Sequence, residues 1–227
     1  MPSPVHFVLS VPPEGVGKDA YGRWYDTHVG EILETPGFVA ARRYWLEAAV
    51  PGRPPIEFRH AAVYVMDRPS AEPLAEIGRR MDAGAMTIPD WFGGIRFASF
   101  DGRPLEDGEL ELPDHGYLTF SHAPRRFTSE EYWGWYYAHA RENLTSEGLD
   151  AVWRYALTPA TADPGRLGRA THASLYRAQR DLPALHRALA ESIEARRVDL
   201  PEWLPECEFV SLDCLAAAPA QTAPRRS

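Results

Sequence analysis

Alternating apolar and polar residues at 4–11 (PVHFVLSV) predict a β-strand. The period then becomes that of a helix over about residues 19–34, where one face carries Tyr21, Trp24, Tyr25, His28 and Ile32. Pro36-Gly37 ends this helix, because glycine accepts the left-handed conformation that commonly follows one. Further along, the pattern predicts strands at about 38–48, 57–66 and 95–100 and a helix at about 71–82. The predicted order is therefore βαββαβ.

The second half of the chain repeats this order. It predicts strands at 116–122, 149–158, 169–178 and 207–215, and helices at 128–144 and 181–197. Residues 24–46 and 135–157 align without a gap, and identical residues occupy ten positions: Trp24/Trp135, Tyr25/Tyr136, His28/His139, Glu31/Glu142, Leu33/Leu144, Gly37/Gly148, Ala40/Ala151, Arg43/Arg154, Tyr44/Tyr155 and Leu46/Leu157. The chain is therefore interpreted as an internal duplication of a unit of roughly 100 residues.

Each βαββαβ unit is expected to be a ferredoxin-like unit of the α+β class. The predicted boundaries are 1–104 for the first unit, 105–114 for an acidic linker, 115–216 for the second unit and 217–227 for a disordered tail. In such a unit the helices cover one face of an antiparallel sheet and leave the other bare. Both faces of the first strand are nevertheless partly apolar in each copy. We therefore expect the two sheets to pack face to face as an intramolecular α/β barrel.

Composition narrows the class of partner. The chain has 227 residues, of which 44% are hydrophobic, with a net charge of −8 and a pI near 5.5. Because it has no stripe of Lys or Arg, a nucleic-acid or anionic-membrane surface is not expected. It has no long apolar run, no basic region at the N-terminus and only two cysteines, Cys207 and Cys214. These features predict a globular cytoplasmic protein.

The segment from Trp24 to Tyr44 (WYDTHVGEILETPGFVAARRY) resembles the helix–turn–strand signature of EthD-like proteins in the dimeric α/β-barrel superfamily. That signature is W-Y-D-x-x-H, then P-G-F, then R-R-Y or R-R-F. The first copy matches at residues 24–26, 36–38 and 42–44, and His28 falls at or one place from the family histidine. The second copy keeps Trp135, Tyr136, His139 and Tyr155, but it has Tyr137 in place of the acid and lacks Pro-Gly.

The resemblance implies a small-molecule enzyme with a pocket in each unit, between its sheet and its helices. Relatives include cofactor-free lactone isomerases, polyketide cyclases, decarboxylases and monooxygenases that act on aromatic compounds. EthD proteins themselves are linked to the oxidative breakdown of ethers. Since one fold supports all of these reactions, it does not select among them.

Several polar aromatic residues are candidates for the chemistry. We predict His28 as the general acid or base, because imidazole moves protons near neutral pH, and Tyr44 as a hydroxyl donor to a substrate oxygen. The predicted substrate-binding residues are His6, Trp24, His60 and Tyr64, and the second-copy candidates are His139, Tyr155, His172 and Tyr176. The alternative is that these histidines are structural and pack beneath a helix. Their recurrence in both copies does not decide between the two roles, because a duplication copies structural and functional residues alike.

Other motifs are missing from the sequence. It has no H-E-x-x-H or C-x-x-C, no G-x-G-x-x-G or phosphate loop, and no G-x-S-x-G. No metal and no cofactor is therefore predicted. Haem stays open as an alternative, because other double ferredoxin-like barrels carry it on a histidine.

Together these features predict cofactor-free proton transfer on an aromatic or polyketide-like compound: isomerisation, cyclisation, dehydration or decarboxylation. One alternative is a cofactor-free monooxygenase that uses the carbanion of its substrate to activate oxygen. Another is a non-catalytic binding or accessory protein for an oxygenase. The expected partner is a small molecule, and a homodimer of the two-unit chain stays open.

Overall fold

The computed structural model describes residues 3–48, 57–160, 165–179, 181–195, 198 and 200–224. In the first half the elements are β1 (Val5–Val11), α1 (Lys18–Leu33), β2 (Phe38–Ala48), β3 (His60–Met66), α2 (Ala71–Asp82) and β4 (Arg96–Pro104). In the second half they are β5 (His115–His122), α3 (Ser129–Asn143), β6 (Leu149–Pro159), β7 (His172–Ala178), α4 (Leu182–Glu194) and β8 (Glu208–Ala216), and a short strand, β9 (Gln221–Thr222), follows. The two halves therefore have the same order of elements, as the sequence predicts.

Eight of the strands close into one antiparallel barrel. Their order is β3-β1-β4-β6-β7-β5-β8-β2, and β2 pairs with β3 to complete the ring. Two pairings join the halves: β4 with β6 and β2 with β8. A closed barrel leaves no unpaired edge among these strands. The prediction that the halves cover each other as a barrel is therefore confirmed.

The inside of the barrel is filled with side chains. Phe7 contacts the rings of Phe120 and Tyr155 at centroid distances of 6.0 and 5.6 Å, and Phe100 contacts Phe120 at 5.5 Å. Leu9, Val63, Leu118, Leu175 and Leu212 are buried in the same cluster. The barrel interior is therefore a single hydrophobic core to which both halves contribute buried apolar side chains.

The helices pack on the outer face of the barrel wall. Tyr21, Tyr25 and Val29 of α1 are buried with Tyr64 and Met66 of β3 in a second core. A smaller third core forms in the second half around α3 and α4. The Thr128 hydroxyl accepts from the Glu131 backbone N–H while the Glu131 carboxylate accepts from the Thr128 N–H, so a capping box fixes the start of α3.

The linker and the tail make equivalent contacts. The Leu105 N–H donates to the Arg154 carbonyl at 3.0 Å, and the Ala217 N–H donates to the Arg43 carbonyl, at the matching position, at 2.9 Å. The predicted tail is therefore not disordered over residues 217–224: β9 pairs with Ala40 and Ala41 of β2. The reason is that β2 still offers free backbone groups beyond its pairing with β8, and the tail uses them. Residues 225–227 lie outside the described part.

A substitution between the halves is compensated by the linker. Arg43 pairs with Asp26 of α1, but the counterpart of Asp26 is Tyr137, so Arg154 pairs instead with the linker residue Glu106. Arg154 is buried, and its Nε donates to Glu106 Oε1 at 2.6 Å. Removing one partner of a buried charge pair leaves the other charge uncompensated.

We therefore expect Glu106→Gln to lower the free energy of unfolding by roughly 2 kcal/mol, less than for a fully buried pair because Glu106 is partly exposed. Urea unfolding at neutral pH measures this loss. The control is Glu111→Gln, which removes the exposed partner of Arg177 and should cost about 0.5 kcal/mol. Equal losses in the two variants would contradict a special role for Glu106.

Candidate functional site

The second half contains a cavity of about 400 Å³ between its sheet and its two helices. Aliphatic side chains of α4 and of the segment before β8, among them Leu189, Ile193 and Leu204, form one wall. The polar groups come from the sheet and the two helices: Tyr117, Thr119, Tyr136, His139, Asn143, Tyr176, His186 and Ser211. Among the described residues, none of those that line the cavity is Asp, Glu, Lys or Arg. Such a site suits an uncharged and largely apolar ligand.

A histidine–aspartate pair lies at this cavity. His186 of α4 contacts both carboxylate oxygens of Asp213 in β8 through Nε2, each at 2.9 Å. Asp213 is 7% exposed, whereas the His186 side chain is about a quarter exposed. An ionised Asp213 accepts from Nε2–H, which leaves the lone pair on Nδ1. His186 thus has the arrangement of a proton acceptor oriented by a buried carboxylate.

Asn143 connects two other polar groups of the cavity. Its Nδ2 lies 3.3 Å from His139 Nε2 and donates to the Tyr176 hydroxyl oxygen at 3.3 Å. The His139 ring also stacks on Trp135 at a centroid distance of 4.8 Å. Burial raises the pKa of Tyr176 well above its usual value, so its hydroxyl stays protonated.

Two positions equivalent to lining residues of this cavity carry different side chains in the first half. Ile32 stands where the second half has Asn143, and Phe38 stands where it has Leu149. Both are buried, and the Phe38 ring contacts Tyr64 at 5.5 Å. Differences in side-chain size and polarity at equivalent positions therefore distinguish the two halves.

The sequence predicts His28 and Tyr44 in one site, but the structure separates them. His28 packs on the outer face of the sheet, stacked on Trp24 at 4.8 Å and close to Phe92. Tyr44 points into the barrel and donates to the Pro113 carbonyl at 3.0 Å. The cause is a bulge in β2 between Phe38 and Ala40, which shifts the alternation, so that Phe38 faces the helices whereas Tyr44 faces the barrel. Tyr155 takes the same inward position in the second half, against Phe7.

The substrate-binding candidates of the first half pack on one another. His6 Nδ1 lies 2.8 Å from Asp101 Oδ1, in the strand equivalent to that of Asp213, and Trp24 Nε1 donates to the Thr87 carbonyl at 2.9 Å. His60 is buried between Trp45 and Tyr21, with centroid distances of 3.8 and 4.5 Å.

Of the second-copy candidates, the cavity brings together His139 and Tyr176 but not His172 or Tyr155. His172 Nδ1 lies 3.0 Å from the Thr171 hydroxyl, and the ring contacts Tyr132. His186 and Asp213 are absent from the sequence-based candidates. The sequence does single out Asp213, because Asp101 and Asp213 stand at equivalent positions near the ends of the two copies. It contains no local pattern that identifies His186 as the partner of Asp213.

Within the described residues, no group of three His, Cys, Asp or Glu side chains is placed to hold a metal ion. In that same part of the chain, no helix is both long and apolar enough to cross a membrane.

The chain matches no protein-family model and no curated protein, but it matches solved structures. An anthrone oxidase-like protein aligns over 98% of this chain and 94% of its own, with a TM-score of 0.62 and 11% identity. A candidate monooxygenase of Lactobacillus acidophilus NCFM aligns over 97% of both chains (TM-score 0.54, 10% identity). Another, from Fusobacterium nucleatum subsp. nucleatum ATCC 25586, aligns over 97% of this chain and 94% of its own (TM-score 0.53, 10% identity). At such identities the likeness concerns the fold alone: the chain has the dimeric α/β-barrel fold, built within a single polypeptide.

Proposed function

We propose that the second half is the working half of a tandem EthD-like enzyme, and that it transfers protons on an uncharged aromatic or polyketide-like compound without a cofactor. The observation that carries this proposal is the His186–Asp213 pair, at 2.9 Å, on the wall of a cavity of about 400 Å³. The ten identical positions in residues 24–46 and 135–157 support the duplication. A crystal structure in which residues 5–48 and 116–159 fail to superpose would contradict it.

The proposed chemistry uses His186 as the base and Asp213 as its carboxylate partner. Neutral His186 takes a proton from an acidic carbon of the substrate on Nδ1, and Asp213 stabilises the imidazolium that forms. The electron pair of the broken C–H bond moves into the ring system, and a neighbouring carbonyl becomes an enolate. Return of the proton to a different carbon isomerises the substrate, and attack by the carbanion on an internal carbonyl cyclises it.

A second candidate function shares this first step. If molecular oxygen reaches the carbanion, one oxygen atom enters the substrate and the other leaves as water, which is a cofactor-free monooxygenase reaction. The names of the solved structures with this fold favour this candidate, because two are candidate monooxygenases and one is anthrone oxidase-like. For anthrone the balance is one anthrone and one O₂ giving one anthraquinone and one water.

Anthrone therefore tests both candidates. Without oxygen, the protein in D₂O should accelerate exchange of the methylene hydrogens of anthrone, as followed by NMR. With oxygen, uptake of one O₂ per anthrone above the uncatalysed rate identifies the monooxygenase, whereas exchange without uptake identifies proton transfer. Tight binding of anthrone without exchange or uptake would instead support the non-catalytic binding protein.

We expect Leu149→Phe to block the reaction, because it places in the cavity the residue that the first half has at Phe38. Anthrone exchange should fall at least about tenfold, since excluding the ligand removes the orientation that catalysis requires. The matched control, Phe38→Leu, alters the first half and should leave exchange intact. Full activity in Leu149→Phe with an unchanged unfolding temperature would place the reaction outside the cavity.

A further inference from the structure

The two halves use the same pair of buried tyrosines differently. In the first half the Tyr25 hydroxyl lies close to the hydroxyls of Tyr64 and Ser10, and both tyrosines are buried. In the second half their counterparts, Tyr136 and Tyr176, have separate partners. Ser174 donates to the Tyr136 hydroxyl oxygen at 2.7 Å, and the Thr119 hydroxyl lies 3.0 Å from it.

These separate partners are residues that the first half lacks. Thr119 stands at the position of Val8, Ser174 at the position of Ala62 and Asn143 at the position of Ile32. At each of these positions the second half has a hydrogen-bonding side chain where the first half has an apolar one. Each of the three side chains contacts the hydroxyl of either Tyr136 or Tyr176. Ser174 and Thr119 hydrogen-bond to the Tyr136 hydroxyl, whereas Asn143 donates to the Tyr176 hydroxyl.

The consequence concerns the proton of Tyr176. Its hydroxyl oxygen accepts from Asn143, so its own O–H is available as a donor, and the residue lines the cavity. The Tyr117 ring contacts the rings of both Tyr176 and the proposed base His186, at centroid distances of 5.9 Å each. A flat ligand over Tyr117 would therefore have the base at one end and a hydroxyl donor at the other.

We propose that Tyr176 is a catalytic residue whose hydroxyl donates a hydrogen bond to the substrate oxygen on which negative charge develops. This inference rests on the proposed function and specifies its substrate class: a ketone whose carbonyl group is conjugated with the carbon that loses its proton. As His186 takes that proton, the C–H electron pair forms the enolate double bond and the carbonyl π pair moves to oxygen. Tyr176 keeps its proton throughout and stabilises the oxyanion.

A chromophoric phenol tests this independently of turnover. 4-Nitrophenol absorbs in the visible only as the phenolate, so titrations at pH 6 and pH 9, where the protein is folded, give the affinities of the two forms. The wild-type protein should bind the phenolate more tightly than the phenol. Tyr176→Phe, which keeps the ring, should weaken phenolate binding about tenfold or more and leave phenol binding within about twofold, because hydrogen bonds to charged groups are the stronger ones.

Tyr64→Phe, in the first half, is the matched control and should leave both affinities unchanged. An unchanged phenolate preference in Tyr176→Phe overturns the role of Tyr176 while the proposed function stands. A wild-type protein that binds neither form overturns both, because a cavity that takes no phenol cannot be the site.

Discussion

His186→Gln is expected to slow anthrone exchange by a factor of about 10² to 10⁴, the usual contribution of a positioned general base. Glutamine is chosen because its amide can still donate to Asp213, so the buried carboxylate keeps a partner. What the variant loses is the basic nitrogen alone. The exchange rate measured by NMR in D₂O, at saturating anthrone, reports the loss directly.

The chain contains a matched control for this variant. His6 and Asp101 form a similar pair in the first half, at 2.8 Å, but His6 does not line the described cavity. His6→Gln should therefore retain the wild-type exchange rate. If the two variants were equally active, His186 would not be the base; if both were equally impaired, the loss would reflect stability rather than chemistry.

The second large effect is loss of stability in acid. Burial lowers the pKa of His28 from 6.5 to about 4, although nearby Glu31 raises it slightly, and burial also lowers the pKa values of His172 and His60 to about 4 and about 3. Between the folded and unfolded pKa values the unfolded chain binds more protons. The stabilisation is therefore complete above about pH 6.5 and is lost as the pH falls toward 4.

Each such histidine should cost about 2 kcal/mol of unfolding free energy between pH 7 and pH 5, and the three together roughly 6 kcal/mol. This is a large part of the stability of a typical domain, and the loss continues below pH 5, so we expect acid unfolding between about pH 5 and pH 4. Urea unfolding at the two pH values measures the loss. His28→Phe keeps a ring against Trp24 and should reduce the loss by about 2 kcal/mol.

The control for this series is His115, which is exposed. His115→Gln should show the same pH dependence as the wild type. An identical loss in His28→Phe would mean that this ring is protonated in the folded protein, contrary to its position among Trp24, Tyr25 and Phe92.

Much of the fold follows from local patterns. The recurrence of Trp, Tyr, His and Gly at fixed spacing is the basis for the proposed duplication, and periods of two and 3.6 place the twelve main elements within a few residues. The barrel follows because apolar residues on both faces of β1 must be covered. The stacking of His28 on Trp24 and of His139 on Trp135 also follows from helical spacing, and both pairs have the same 4.8 Å distance.

The site is less visible in the sequence. Alternation shows that Arg43 and Tyr44 face opposite ways, but the bulge at the start of β2 decides which of them faces the helices. A bulge inserts one extra residue into a strand and so exchanges the two faces for every residue beyond it. The pattern of apolar and polar residues does not show where the bulge lies. This is why Tyr44 is predicted beside His28 but lies in the barrel with Pro113.

By itself, the sequence determined the order of elements and the barrel, because the periodic burial of apolar residues shows in the pattern of neighbouring positions along the chain. Only the tertiary structure decided that the cavity lies in the second half and that Asp213 meets His186, 27 residues away. The reason is physical: a cavity depends on how side chains of several elements fill a shared volume, and the periodicity of a single segment does not contain that information.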